Sequence, residues 1–573
     1  MKLSAIFPFL NWLPNYKKSW LKGDITGGLT VGIMLIPQGI AYAMIAGLPP
    51  IYGLYTAMIP QFVYAFFGTS RQLAVGPVAM DSLIVASGVG AIAIVGSEHF
   101  IALAILLALL MGIMQLAFGI FRLGFLVNFL SKPVISGFTS AAALIIGLNQ
   151  LKHLLGVDIH RNNQLQYLLI DAVNHLKLIN WPTFTIGILS ILILVFLKHY
   201  FKKIPAALVV VILGVLVVQI FNLNQYGVKI VGNIPKGLPH FKIQSFDFET
   251  IQKLAPIALT LALIAFMEAI SVAKAIEAKH NNYKANANKE LIALGLGNIV
   301  GSLFQSYPST GGFSRTAVNN QSGSNTPLAA IISALVVALT LLFLTPYFYY
   351  LPKAVLAAII MVAVFGLLDF KIPAQLWKYT KRDLAILNIT LIITATVGIK
   401  EGIIAGVLLS LGMLIYKSTK PHVAILGKVP NTYLYRNIKR FKDVAVFKDI
   451  LIIRFDAQLH FANTTFFKDT LFSESTKKGP DLKVIIIDGE SLNNLDSSGV
   501  YALQEVLKHF KSKEIDFYFT GLKGPVRDTI SKSGIISEIG KQHCFMSIQE
   551  AIDYYQKNTI NTYKKDFTAQ SNK

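Results

Sequence analysis

Apolar residues gather in runs close to the ~20 positions that an α-helix needs to cross ~30 Å of hydrocarbon. The clear runs are Ile101–Phe121, Phe184–Leu197, Ala206–Phe221, Ala255–Ala273, Leu328–Leu344, Val355–Leu368 and Leu384–Val397. They predict a polytopic helical membrane protein. Three features break the pattern. "RQLAVGPVAMDSLIV" (Arg71–Val85) and "YPSTGGFSRTAV" (Tyr307–Val318) interrupt apolar sequence with Gly, Pro and polar residues, and Glu268 sits about half-way along the run Ala255–Ala273.

The pattern shortens beyond Lys417. Residues 421–440 are basic, contain two prolines, and read as a linker leading into the first strand of a new domain. "ILIIRF" (Ile450–Phe455), "KVIIIDG" (Lys483–Gly489) and "DFYFTGL" (Asp516–Leu522) have the length of buried strands. "SGVYALQEVLKHFKSK" (Ser498–Lys513), "GPVRDTISKSG" and "SIQEAIDYYQ" carry helical apolar spacing. Strands alternating with helices predict a small α/β domain over 441–558. The polar tail 559–573 reads as disordered.

The two breaks raise a physical question. Unpaired backbone polar groups cost several kcal/mol in hydrocarbon, so non-helical backbone at that depth must be buried in protein or line a wet cavity. "SYPST" is extended, Gly311 and Gly312 permit a turn, and a short helix follows from Phe313. "LAVGPVAM" allows the same construction, with Pro77 as a good first helical residue. The first N–H groups of a helix lack intrahelical partners and carry the positive end of its dipole. Two such N-termini facing each other form an anion site. Either break alone also fits a kink or loop; the pair points to a binding site. Ser314 adds a hydroxyl, and Arg315 either a positive field in the site or an anchor at the membrane surface.

Other polar residues bear on this site. A carboxyl at the depth of Glu268 is expensive and commonly functional; burial favours its neutral form, so it suits proton binding and release, or a structural bond to a neighbouring helix. Asp81 takes a proton, binds a cation or faces away. Gln38 and Tyr42, four apart, share a helical face and offer hydrogen bonds to an anion or between helices. A faint repeat aligns Gln38-Gly-Ile-Ala-Tyr-Ala with Glu268-Ala-Ile-Ser-Val-Ala, each about forty residues before a break. Broken helices at matching places in two halves are the mark of an inverted-repeat transporter.

Composition agrees. The chain is 54% hydrophobic and 14% charged, against about 25% charged in soluble domains. Its net charge of +22 reflects the Lys and Arg that cytoplasmic loops collect, not nucleic-acid binding, and suits anionic lipids. The clusters Lys17/Lys18/Lys22, Arg122/Lys132, Lys198/Lys202/Lys203, Lys274/Lys279/Lys284 and Lys371/Lys378/Lys381/Arg382 fall on one side if about fourteen segments cross from a cytoplasmic N-terminus. Lys353 and Lys400 are exceptions. Residues 1–20 lack a cleavable signal and read as an interfacial segment. One cysteine, Cys544, excludes an internal disulfide. No metal-ligand cluster, nucleotide loop or nucleophile–base spacing indicates an enzyme, a cofactor or a metal.

"LPPIYGLYTAMIPQFVYAFFGTSRQLAVGPVAM" (Leu48–Met80) resembles the sulphate-permease signature, and "NANKELIALGLGNIVGSLFQSYPSTGGFSRTAVNNQSG" (Asn286–Gly323) resembles the segment around the tenth helix of the same family. "LNNLDSSGVYALQEV" (Leu492–Val506) is similar to its STAS domain. The resemblance is to SulP/SLC26-type anion transporters, from about Leu21 to Gln556. It implies a UraA/SLC26-like fold for 21–420: fourteen transmembrane segments in two inverted seven-helix repeats, with a core domain moving against a gate domain, plus a cytoplasmic STAS domain and a homodimer. It implies substrate contacts at Gln38, Tyr42, Pro77, Val78, Ala79, Gly312, Phe313, Ser314 and Arg315. Glu268 matches the eighth-helix Glu of proton-coupled members, which favours symport with H+; sodium-coupled members place an acid in the same helix. Asp81 stands where the family usually has an apolar residue. Ser497 matches a serine phosphorylated in related anti-sigma-factor antagonists, although Asp496 and Ser497 also fit a helix cap.

The expectation is therefore a secondary active, elevator-type carrier of a small inorganic or organic anion, sulphate or similar, in a bacterial inner membrane with both termini cytoplasmic. The rivals are a sodium-coupled bicarbonate or dicarboxylate symporter, an uncoupled exchanger or channel, and a receptor that only senses.

Overall fold

The computed structural model describes residues 7–125, 131–159, 164–201, 205–244, 247–280, 283–366 and 368–558. The expected disordered tail 559–573, Lys202 and Lys203, and the first residues of the N-terminal segment lie outside them. The chain forms two units, Met1–Ser410 and Leu411–Lys573.

In the first unit the main helices are α1 (Lys18–Ala46), α2 (Pro50–Phe67), α3 (Ala79–Gly90), α4 (Glu98–Ile120), α5 (Lys132–Asn149), α6 (Trp181–Tyr200), α7 (Ala206–Ile220) and α8 (Phe248–His280). They continue with α9 (Ala287–Leu303), α10 (Phe313–Gln321), α11 (Leu328–Leu339), α12 (Lys353–Phe365), α13 (Lys381–Thr396) and α14 (Ile399–Thr419), which runs past the unit boundary. Two-residue strands β1 (Val75–Gly76) and β2 (Thr310–Gly311) precede α3 and α10. Among the described residues seven helices are long and apolar enough to cross a membrane, and α3, α7 and α12 are shorter apolar helices.

The packing repeats itself with the halves exchanged. α1 packs on α11 and α3, while α8 packs on α4 and α10; α5 packs on α13, while α12 packs on α6. Seven positions separate each helix from its counterpart, which is the signature of the inverted repeat. Small residues let the backbones approach. A Cβ on Gly39 of α1 would lie 3.0 Å from the carbonyl oxygen of Gly53 in α2, and one on Gly295 of α9 would lie 2.6 Å from Leu116 N in α4.

The second unit holds a six-stranded sheet, in the order β4-β3-β5-β6-β7-β8. The strands are β3 (Val423–Lys428), β4 (Tyr435–Asn437), β5 (Ile450–Phe455), β6 (Val484–Asp488), β7 (Asp516–Thr520) and β8 (Cys544–Phe545). β5 to β8 run parallel; β3 is antiparallel to both its neighbours. Helices α15 (Thr464–Lys478), α16 (Ser497–Lys511) and α17 (Gly524–Lys532) follow β5, β6 and β7. All five residues of β6 are buried, as a central strand covered on both faces requires. The stretch 421–440, expected as a linker with a first strand, contributes both β3 and β4. Ala424 and Leu426 of β3 are buried in the core that contains Ile450 and Ile452, so this segment belongs to the domain rather than connecting to it.

Candidate functional site

β1 and β2 are too short to show any periodicity, yet they pair: Val75 lies opposite Gly311 and Gly76 opposite Thr310, antiparallel. Gly312 N donates to Ala74 O at 3.0 Å. Antiparallel strands run towards each other, so the helices that follow them leave in opposite directions with their N-termini side by side. Glycine is needed here for space. A Cβ on Gly311 would lie 2.6 Å from Leu73, and one on Gly312 would lie 2.6 Å from Arg315 Nη2.

The broken backbone is satisfied by side chains from distant helices. Asn298 of α9 accepts from Ser309 N at 2.9 Å and donates to Ser309 O at 3.0 Å. Thr56 Oγ1 of α2 accepts from Tyr307 N at 3.0 Å, and Thr316 Oγ1 of α10 from Ala74 N at 3.0 Å. Thr310 Oγ1 donates to Ala265 O of α8 at 2.6 Å. Each bond removes a cost of about 1–3 kcal/mol for an unpaired buried group. The helix starts are different. Val78, which caps α3, and Gly312, which caps α10, carry no side-chain cap bond, so no side chain of the cap competes for the first-turn N–H groups.

Arg315 points inward. It is 1% exposed; its Nη1 donates to Pro77 O at 2.9 Å and to Gln38 Oε1 at 3.4 Å. One side chain thus ties α10 to the start of α3 and to α1. Its Nε and Nη2 are buried and have no partner among the described residues. The reading of Arg315 as a surface anchor is excluded by this placement. Gln38, Tyr42, Pro77, Val78 and Ala79 are buried around it. Phe313 and Ser314, the first two residues of α10, are uncovered by protein.

One carboxyl lies near the guanidinium and a second lies near the first. Glu268 of α8, half-buried, is within electrostatic reach of Arg315, and so is Tyr42. Asp81, the third residue of α3 as Arg315 is the third of α10, is wholly buried within reach of Glu268. Neither oxygen of Asp81 has a hydrogen-bond partner among the described residues. Arg315, Glu268 and Asp81 are absent from the ion pairs closer than 4 Å among the described residues. With both carboxyls ionised the cluster is negative by one charge; with both protonated it is positive by one.

Sequence reasoning missed Tyr307, whose buried hydroxyl meets Ser82 Oγ at 3.1 Å, and the scaffold residues Asn298, Thr56 and Thr316. Asn298 had a signal, a lone amide in an apolar run; the others had none. Ser497 is not part of this cluster. It lies in the second unit, exposed at the first position of α16, where Asp496 is the cap: its carboxylate accepts from Gly499 N at 2.8 Å.

The comparisons with known proteins identify the family and the fold. Residues 21–390 match the model of the sulfate permease family and residues 442–551 that of the STAS domain. "Sulfate transporter 4.1, chloroplastic" of Arabidopsis thaliana is 39% identical over 99% of this chain and 85% of its own length. "High affinity sulfate transporter 2" of Stylosanthes hamata is 32% identical over 97% and 87%. The structure of murine Slc26a9, an anion transporter in the inward-facing state, superposes with a TM-score of 0.89 at 26% identity, covering 97% of this chain and 94% of that one. The paired half-helices, the exchanged packing and the second-unit sheet thus sit in a multi-pass membrane protein that belongs to the sulfate permease family, with a STAS domain at its C-terminal end.

Proposed function

We propose that the chain is a secondary active transporter of a small anion, sulfate or similar, which binds between the N-termini of α3 and α10. The observation that carries this reading is Arg315: a buried guanidinium with two nitrogens, Nε and Nη2, unpartnered among the described residues, beside two helix starts without side-chain caps. Gln38, Tyr42, Pro77, Val78, Ala79, Gly312, Phe313 and Ser314 surround the position the anion would take. The names of the relatives as sulfate transporters support the substrate class.

Charge supports coupling to protons. The cluster with both acids ionised repels an anion, and each proton taken up by Glu268 or Asp81 removes one negative charge. An anion and protons therefore bind more readily together than apart, which is the thermodynamic requirement for symport. The core helices then move against the gate helices in an elevator-type exchange of access. A sodium-coupled reading is favoured by one feature, the unpartnered carboxyl of Asp81. The charge clusters support a reading with both termini in the cytoplasm, the family implies a homodimer, and the exposed Ser497 is a candidate for regulatory phosphorylation. No enzymatic step is proposed.

Uptake of labelled sulfate by proteoliposomes under an imposed proton or sodium gradient tests this. A proton gradient should drive accumulation above equilibrium in the wild type, and Glu268→Gln should abolish it while sparing exchange. Unaltered pH dependence in Glu268→Gln would refute the coupling role; accumulation driven only by sodium would favour the alternative.

A further inference from the structure

A second cluster of positive charge lies away from Arg315. Lys152, His153, Lys229 and Lys353 line a cavity of about 250 Å³, with Asp158 as its acid. Lys229 pairs with Asp158, and Lys152 and His153 also lie within electrostatic reach of that carboxyl. Three lysines against one aspartate leave the cavity positive by two charges with His153 neutral. It is built at the face where α1 and α5 end and α12 begins. Lys353 N donates to Lys229 O at 2.9 Å, and Ile230 bridges Pro352, so two loops far apart in sequence are stitched together around it. Lys353 is one of the residues that departs from the charge asymmetry of the loops, and membrane insertion gives no reason for it.

A second, small space adjoins the cavity. Lys152 and His153 also line about 30 Å³ bounded by Met44 of α1, Leu83 of α3 and Asn149 of α5. Tyr42 and Asp81 of the central site stand on the same two helices, α1 and α3, within a turn of Met44 and Leu83. The small space suits a water molecule or two, not a hydrated anion.

We propose that this cavity is an anion-collecting vestibule, which holds a small divalent oxyanion by charge on the α12 face before it passes to the central site. The inference rests on the transport reading above. A positively lined cleft raises local anion concentration and capture rate, and the effect falls with ionic strength; at 0.1 M salt screening acts over about 10 Å. It acts on capture and not on the translocation step.

Sulfate flux through the full-length protein in proteoliposomes, measured at low and high salt, tests this. Lys353→Gln should lower kcat/KM about threefold at low salt, leave kcat unchanged, and lose the difference at high salt. Asp158→Asn, at an exposed side chain, should raise kcat/KM at low salt. Opposite signs from the two substitutions are not explained by misfolding. If wild type carries sulfate but both variants keep its kcat/KM, or both shift it the same way, or the differences persist at high salt, the vestibule is refuted. If wild type carries none, the transport reading fails first.

Discussion

Four buried or half-buried carboxyls of the first unit divide into two kinds. Asp24 of α1 accepts from Asn325 N at 2.7 Å, Thr326 N at 3.0 Å and Thr326 Oγ1 at 2.7 Å. Glu290 of α9 accepts from Tyr64 at 2.6 Å, from Thr69 N at 2.7 Å and Oγ1 at 2.5 Å, and from Ser70 N at 3.0 Å. Both are fully buried and well provided with donors. Each holds the loop that leads into or out of a half-helix: 322–327 after α10, and 68–74 before β1. Asp81 and Glu268 have no such donors among the described residues; Glu268 has a guanidinium within electrostatic reach, and Asp81 has Glu268. Satisfied carboxylates fix a structure; unsatisfied ones remain open to a proton, a cation or a guest. The same residue type is thus a rivet where donors surround it and, in the function proposed above, a proton site where they do not; the hydrogen-bond count distinguishes the two.

Arg315→Gln should sharpen this contrast most. It removes the charge that faces the guest, and truncating one partner of a buried charge pair costs about 2–5 kcal/mol. We expect about a 100-fold or greater loss of sulfate uptake, read as initial rate, with the protein still folded. Glu290→Gln comes next, on the other side of the comparison. It turns an acceptor towards several donors and should cost about 3 kcal/mol in stability, read as a fall in melting temperature in detergent, with transport kinetics of the folded fraction near normal. Asp81→Asn should do the reverse. Neutralising an unpaired buried carboxyl is neutral or stabilising, so the melting temperature should hold or rise while the pH profile of uptake changes. If Asp81→Asn melts like Glu290→Gln, the division between the two kinds of carboxyl is wrong.

Much of this architecture was legible in the chain. The apolar runs located α4, α6, α7, α11, α12 and α13 within a few residues and the middle of α8, and "ILIIRF" matched β5 to the residue. The two breaks announced the half-helices because Gly, Pro and Ser in hydrocarbon demand a reason. Long-range pairing was not legible. Glu290 is 221 positions from Thr69, and Arg315 is 238 from Pro77; no local pattern encodes such contacts. Asp24 and Glu290 lie near helix ends, where a charge looks like a solvated residue, so their role as rivets was hidden. The direction of Arg315 depends on the space left by Gly312 and by the paired strands, which sequence spacing does not show. One strand was expected in 421–440 and two are present; the second escaped because the basic residues around it mask a short antiparallel edge.

The central claim is that the meeting point of α3 and α10 is where the anion rests. Thermal unfolding of the purified protein across a sulfate titration measures this directly, since a ligand that binds the folded state stabilises it as RT ln(1 + [L]/Kd). The account predicts a saturable rise in melting temperature for wild type that is absent or shifted to far higher sulfate in Arg315→Gln. An identical titration curve in the two proteins would contradict it.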